Sequence, residues 1–139
     1  VGSVLVTAKI ESLEDLSQVQ RGNLPAAQVR RVEVTDALVD TGATMLSMPK
    51  RLIEQLGLYP VRIRRARSSA GPVHVQIYSP VRLTILERDC TIEVAEVPDD
   101  CPVLIGQIPL ELLDFVVDPV GRRLIGNPAH GGEHMLDMF

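Results

Sequence analysis

The sequence has no tryptophan and only two tyrosines and two phenylalanines (Tyr59, Tyr78, Phe115 and Phe139), so its core must be built from aliphatic side chains. The same scarcity leaves little from which to make a stacking platform for single-stranded nucleic acid. Excess positive charge is lacking too. Fourteen Lys and Arg against eighteen Asp and Glu leave a net charge of −4, which argues against a broadly basic surface for nucleic acid or an anionic membrane. The longest weakly polar stretch, Cys101 to Leu110, falls far short of the ~20 residues of a membrane span. Cysteine is sparse: Cys90 and Cys101 form no Cys-x-x-Cys pair, and no His pair stands at zinc-finger spacing. They are expected to be reduced or buried thiols, and no His is placed to activate either as a nucleophile.

What is present fits one globular domain. The 139 residues are 45% hydrophobic and 23% charged, enough for a single core and too short for two. The chain starts at Val1 and not at Met, as a trimmed or processed chain does, which leaves a removed targeting segment open. No basic start followed by an apolar core and a small-residue cleavage site is found, so the default expectation is a cytoplasmic protein.

Hydrophobic periodicity is mostly two. Val4, Val6, Ala8 and Ile10 alternate with Ser3, Leu5, Thr7 and Lys9, which predicts a first strand. Residues 11–28 are polar, with Gly22-Asn23 and Pro25 as turn signals. Ser12-Leu13-Glu14-Asp15 can cap a brief helical turn, and a long loop fits equally. Val29, Val32 and Val34 lead to Ala37-Leu38-Val39, a β-branched apolar run stopped by Asp40-Thr41-Gly42. Leu52, Ile53 and Leu56 predict a short helix ended by Gly57. Val61 to Arg64 and Val73 to Ile77 predict a long hairpin with its tip near Ala70-Gly71. Strands are expected at 81–86, 91–97, 103–106 and 115–117, with one or two helical turns at 108–113. Asp118-Pro119-Val120-Gly121 is a type I turn signal, and Arg122 to Ile125 closes that hairpin. The pattern predicts an all-β domain, a small barrel or sandwich of short strands with one or two short helices.

Chemistry concentrates at Ala37-Leu38-Val39-Asp40-Thr41-Gly42-Ala43-Thr44. A triplet such as Asp-Thr-Gly carries little by itself; its placement gives it content. Asp40 ends a buried apolar run, where a charge is costly unless it has a task or a partner. About sixty residues later Leu104-Ile105-Gly106 forms a second apolar-apolar-Gly element before a short helix, and the long hairpin lies between the two.

This combination resembles the retropepsin-like aspartic proteases, the single-domain relatives of pepsin found in retroviruses and in many cellular proteins. The resemblance covers roughly residues 29–125. It favours the non-viral branch through residues 37–49, the helix at 50–57, and Pro102-Val103-Leu104-Ile105-Gly106-Gln107-Ile108-Pro109-Leu110. It implies a small closed β-barrel of the acid protease type with one lobe per chain. Residues 1–126 would be the protease domain, and residues 127–139 a tail free to join a dimer interface.

Asp40 would then be the catalytic carboxylate. Thr41 would hydrogen-bond across the active site to hold both Asp loops, and Gly42 would let the loop turn toward the substrate. Ala43 and Thr44 would complete the loop, and Leu104, Ile105 and Gly106 would pack beneath it. Ser68, Ser69, Ala70 and Gly71 would form the tip of a flap. Hydrolysis by this route needs two carboxylates around one water, sharing one proton. Asp36 and Asp118 lack the Thr-Gly context and are read as surface or turn residues, so the second Asp must come from another copy. The implied enzyme is a homodimeric aspartic endopeptidase acting on peptides or unfolded protein, with no cofactor, metal, nucleic acid or membrane. A catalytically silent dimerisation or peptide-binding module with the same fold is the alternative.

Two departures from the family pattern stand out. Retroviral enzymes carry an Asp and an Arg, paired, where this chain has Thr44 and Gln107, so both charges are absent together. Ala43 has no hydroxyl to stabilise an ionised dyad, so the expected pH optimum is mildly acidic. Elsewhere, His130-Gly-Gly-Glu-His134 does not match a metal-binding helix and is read as tail. Arg62, Arg64, Arg65 and Arg67 are read as a solvated strand face, with acidic substrate or nucleic-acid contact as the sharper reading.

Overall fold

A computed structural model describes residues 3–136 and residue 138. Among them are nine strands: β1 (Val4–Ser12), β2 (Arg31–Val39), β3 (Leu46–Pro49), β4 (Pro60–Ser68), β5 (Gly71–Ile85), β6 (Arg88–Val97), β7 (Leu104–Ile105), β8 (Phe115–Asp118) and β9 (Arg123–Gly126). Three helices accompany them: α1 (Leu13–Gln20), α2 (Lys50–Gln55) and α3 (Gln107–Leu113). The first seven strands form one sheet in the order β1-β2-β7-β3-β6-β5-β4, and β1 also pairs with β5. That extra pairing, Lys9 with Thr84 through Ser12 with Val81, bends the sheet into a ring and leaves β4 outside it. The all-β expectation holds.

Alternation explains which residues turn inward. Val4, Ala8 and Ile10 of β1 are buried, as are Leu46 and Met48 of β3 and Val81, Leu83 and Ile85 of β5. The core they form is aliphatic, with Tyr78 and Phe115 its two rings among the described residues. One long strand, β5, replaces the two expected pieces: the register against β6 slips between Tyr78 and Val81, at Ser79-Pro80, and then continues. A bulge there accommodates a proline that has no N–H to give.

The structure has one more helix than expected. Residues 13–20, which the sequence left between helical turn and loop, form the two turns of α1. The Ser12 hydroxyl accepts from the Asp15 N–H at 3.2 Å, and Glu14 and Asp15 supply negative charge to the first turn. What pins the helix is distant in sequence. Asp15 accepts from the Arg30 backbone N–H, Nε and Nη2, each at 2.9 Å. Nearby, buried Glu11 accepts from Arg82 at 2.9 Å and from Arg31 at 3.3 Å.

These contacts make stability acid-sensitive. The Arg30 hydrogen bonds hold the Asp15 carboxyl below its usual value. For Glu11, burial pushes upward, but hydrogen bonds from Arg82 and Arg31 and the charges of Arg82 and Lys9 outweigh it and the net shift is downward. A carboxylate lowered by folding contributes fully above its unfolded pKa, near 4, and loses that contribution as pH falls through the lower folded value. Urea unfolding midpoints should therefore be flat above about pH 5 and fall steadily below about pH 4. Asp15→Asn should cost about 1–2 kcal/mol at pH 7 and flatten the acid limb. An equally steep limb in that variant would remove Asp15 from the account.

The residues after β9 fold back on the end of α3. Asp114, left-handed at φ 57, closes that helix and is buried. Its carboxylate lies 2.7 Å from His130 Nδ1 and accepts from the Met135 N–H, and the His130 contact is the main cause that holds it below its usual pKa. Arg88 donates to the carbonyls of Leu113, Asp114 and Gly132 and lies over the Phe115 ring at 4.6 Å. His130 and His134 thus have structural neighbours, and among the described residues no cluster of three His, Cys, Asp or Glu could hold a metal ion.

Candidate active site

Asp40 follows directly on β2, and its position is set by main-chain bonds to a strand far along the chain. Leu38 and Val39 pair in parallel with Leu104 and Ile105 of β7. The Leu38 N–H donates to Val103 at 2.8 Å and the Asp40 N–H to Ile105 at 2.9 Å. On its other edge β7 pairs antiparallel with β3, Leu46 with Ile105 and Ser47 with Leu104. The two-residue strand is thereby clamped between the strand entering the Asp loop and the strand leaving it.

The loop itself is laced to the start of α3. Gly106 N–H donates to Met45 at 3.0 Å, Gln107 N–H to Ala43 at 2.9 Å and Ile108 N–H to Thr44 at 2.9 Å. A Cβ on Gly106 would stand 2.5 Å from the Met45 carbonyl oxygen, so glycine is required there for close approach. Leu104, Ile105 and Gly106 therefore support the Asp loop through backbone contact as well as packing.

Within the loop the Asp40 carboxylate accepts from the Gly42 N–H at 3.0 Å, and the Asp40 carbonyl accepts from Ala43 at 3.1 Å. Gly42 does not adopt a positive φ, so the turn does not demand glycine for its conformation. A Cβ at this position would lie 3.3 Å from Asp40 Oδ1, a tight contact to which the carboxylate would have to yield by a few tenths of an ångström. Thr41, Gly42 and Thr44 are exposed, while Asp40 and Ala43 are half-buried. Among the described residues the Thr41 hydroxyl has no hydrogen-bond partner. Thr44 and Gln107 make no ion pair with each other; the Gln107 amide donates to Glu111 one helical turn on.

A cleft of about 760 Å³ opens beside the loop. Gly42, Ala43, Thr44 and Met45 form one end, and Ser47, Ile77, Ala95 and Val97 lie along it. The hairpin of β4 and β5 contributes Arg64 to Arg67 and Val75. Glu93 and Glu96 also line it; Glu93 pairs with Arg62, and Glu96 accepts from the Tyr78 hydroxyl at 2.5 Å. That bond and burial push the Tyr78 phenol up to about 12.

The hairpin turns at Ser69-Ala70. The Ser68 hydroxyl donates to the Gly71 carbonyl and accepts from the Ala70 N–H, and Gly71 takes φ 108, which only glycine adopts readily. Residues 68–71 are not among those that line the cleft, whose hairpin wall is made by the strands behind them. The sequence assigned no role to the walls from β3 and β6. The alternation of Glu93, Ala95 and Val97 was visible, but not the strand that would lie opposite.

Other candidates fall outside the cleft. Asp36 is exposed on β2. Asp118 accepts from the Val120 N–H and lies 3.6 Å from Arg123. Both cysteines are free, and burial, helped by the Asp89 charge, pushes the Cys90 thiol up to about 11, far from nucleophilic use. No helix among the described residues is long and apolar enough to cross a membrane.

The chain was also compared with known proteins. A family model described as aspartyl protease matches residues 17–108, a span that contains the Asp loop, the hairpin, β7 and the start of α3. No curated protein matches the chain.

Proposed function

Since this chain belongs to the aspartyl protease family, we propose that it is an aspartic endopeptidase of the non-viral, retropepsin-like kind, completed by a second copy of itself. The observation that carries this reading is Asp40, held half-buried in the chain's one Asp-Thr-Gly loop, whose Gly42, Ala43 and Thr44 form one end of an open cleft. One such loop is half of the required chemistry. With two, the ionised Asp40 takes a proton from the water as it attacks the peptide carbonyl. The protonated Asp40 donates to the carbonyl oxygen, and the amine leaves with a proton returned from the dyad. The exposed Thr41 hydroxyl is free to bond across the two-fold axis. An extended peptide fits a cleft walled by strands, where main-chain bonds and alternate side-chain pockets give affinity.

Exposed apolar side chains near the loop supply a surface for the second copy. Leu5 is 57% exposed and pairs with Leu38 two residues before Asp40, and Ile108, 42% exposed, is itself bonded through its N–H to Thr44 of the loop. Leu112, Met135 and Leu136 continue that surface along a groove between α3 and the tail.

Sedimentation velocity and cleavage of a mixed peptide library test the reading together. A dimer is expected, with specific activity rising as protein concentration passes through the dimer dissociation constant. Full activity from a monomer, or no cleavage by a stable dimer across the library, would overturn it.

A further inference from the structure

The hairpin beside the cleft carries a charge opposite to that of the whole chain. Residues 55–86 contain no Asp or Glu, while Arg62, Arg64, Arg65 and Arg67 fall within six positions, in a chain of net charge −4. Their register decides what each can reach. Directly opposed residues of an antiparallel pair share a face, and Arg64 opposes Val75 as Arg62 opposes Ile77. Val75 and Ile77 line the cleft, so Arg62 and Arg64 lie on its inner face. Arg62 is already committed to Glu93 on the neighbouring β6. Arg64 has no acidic partner among the described residues, nor have Arg65 and Arg67, which border the cleft but alternate to the other face of the hairpin. Among the described residues that line the cleft, the two carboxylates are engaged, Glu93 by Arg62 and Glu96 by the Tyr78 hydroxyl.

We infer that the cleft selects extended peptides carrying an Asp or Glu side chain in the segment under the hairpin, and that Arg64 is the specificity-determining residue that meets it. This rests on the protease reading for the nature of the bound chain. An unpaired guanidinium beside a groove that a substrate will dry gains most from a carboxylate, through a two-pronged hydrogen bond that an amide cannot reproduce. Nucleic acid fits less well. The cleft brings carboxylates of its own, and among the described residues its wall includes no aromatic ring for a base to stack on.

The test uses pairs of fluorescein-labelled decapeptides that differ in one Glu or Gln, with that position scanned along the peptide. Wild-type protein should show a kcat/KM about tenfold higher for the Glu member at one or two adjacent positions, as charge-assisted bonds allow. Arg64→Gln should remove the preference and Arg64→Glu reverse it, each read as the ratio of kcat/KM for the Glu and Gln peptides within one variant. Binding of the same peptides to the Asp40→Asn protein, read by fluorescence anisotropy, makes the test independent of turnover. Arg64-dependent binding of the Glu peptide without cleavage by wild type would sustain the selectivity and sink the protease reading. Cleavage of both peptides with no preference, or a preference that survives Arg64→Glu, would sink the selectivity and leave the protease reading standing. Tighter binding of a single-stranded oligonucleotide than of any acidic peptide would also overturn it.

Discussion

If the proposed dimeric protease is correct, Asp40→Asn is expected to lower peptide cleavage about 10³- to 10⁴-fold while the fold and the proposed self-association are kept. The substitution is nearly isosteric. The Asn oxygen can accept the Gly42 N–H that Asp40 Oδ1 now accepts at 3.0 Å, and the main-chain bond from residue 40 to Ile105 is untouched. Lost is a group able to take a proton from water and return it, and in a symmetric dimer the substitution removes both copies at once. Peptide turnover, sedimentation and melting temperature should be measured on one preparation. Asp36→Asn and Asp118→Asn serve as controls, since one side chain is exposed on β2 and the other is tied to Val120 and Arg123 in a turn. Retained turnover in the Asp40 variant would refute the assignment. Loss of turnover together with loss of the dimer would make Asp40 a structural residue.

The features legible in the sequence are those whose cause is local. The run Ala37-Leu38-Val39 broken by Asp40, the spacing of Leu52, Ile53 and Leu56, and the Asp118-Pro119 turn each show in a few adjacent residues. The hidden features depend on partners far along the chain. Helix α1 is secured by Arg30, which no pattern within residues 13–20 reveals. Ring closure rests on Lys9 meeting Thr84, and the cleft wall on β3 running parallel to β6, Leu46 beside Val94. Register of this kind follows from the closed sheet and not from alternation alone. Asp114 is hidden in the sequence for the same reason, because its importance comes from His130 and Met135 folding back on it.

The same distinction between local and distant causes separates the two glycines of the site. Gly42 looked like a turn residue, but its φ is not positive and an added Cβ would only crowd the Asp40 carboxylate, at 3.3 Å. Gly106 looked like the end of a strand and proves to be the tightest backbone contact near Asp40. A Cβ at Gly106 would meet three atoms of the loop: the Met45 oxygen at 2.5 Å, the Thr44 carbonyl carbon at 2.7 Å and the Met45 nitrogen at 2.8 Å. All three are backbone, so no side chain can swing aside, and the φ of −85° means conformational preference adds nothing to the penalty. Gly106→Ala must therefore push β7 and the first turn of α3 away from the loop. The bonds at stake are those from Gly106, Gln107 and Ile108 to Met45, Ala43 and Thr44. The expected cost is about 3 kcal/mol, the upper range for overpacking, and a melting temperature lower by roughly 10 °C. Activity should fall further than stability, because the displaced segment is the one that holds Asp40 in register with Ile105. Thermal unfolding, with cleavage assayed well below the variant's melting temperature, separates the two effects. An unchanged melting temperature would show that the loop can retreat by several tenths of an ångström at no cost. The carboxylate would then owe its position to the β2–β7 ladder alone.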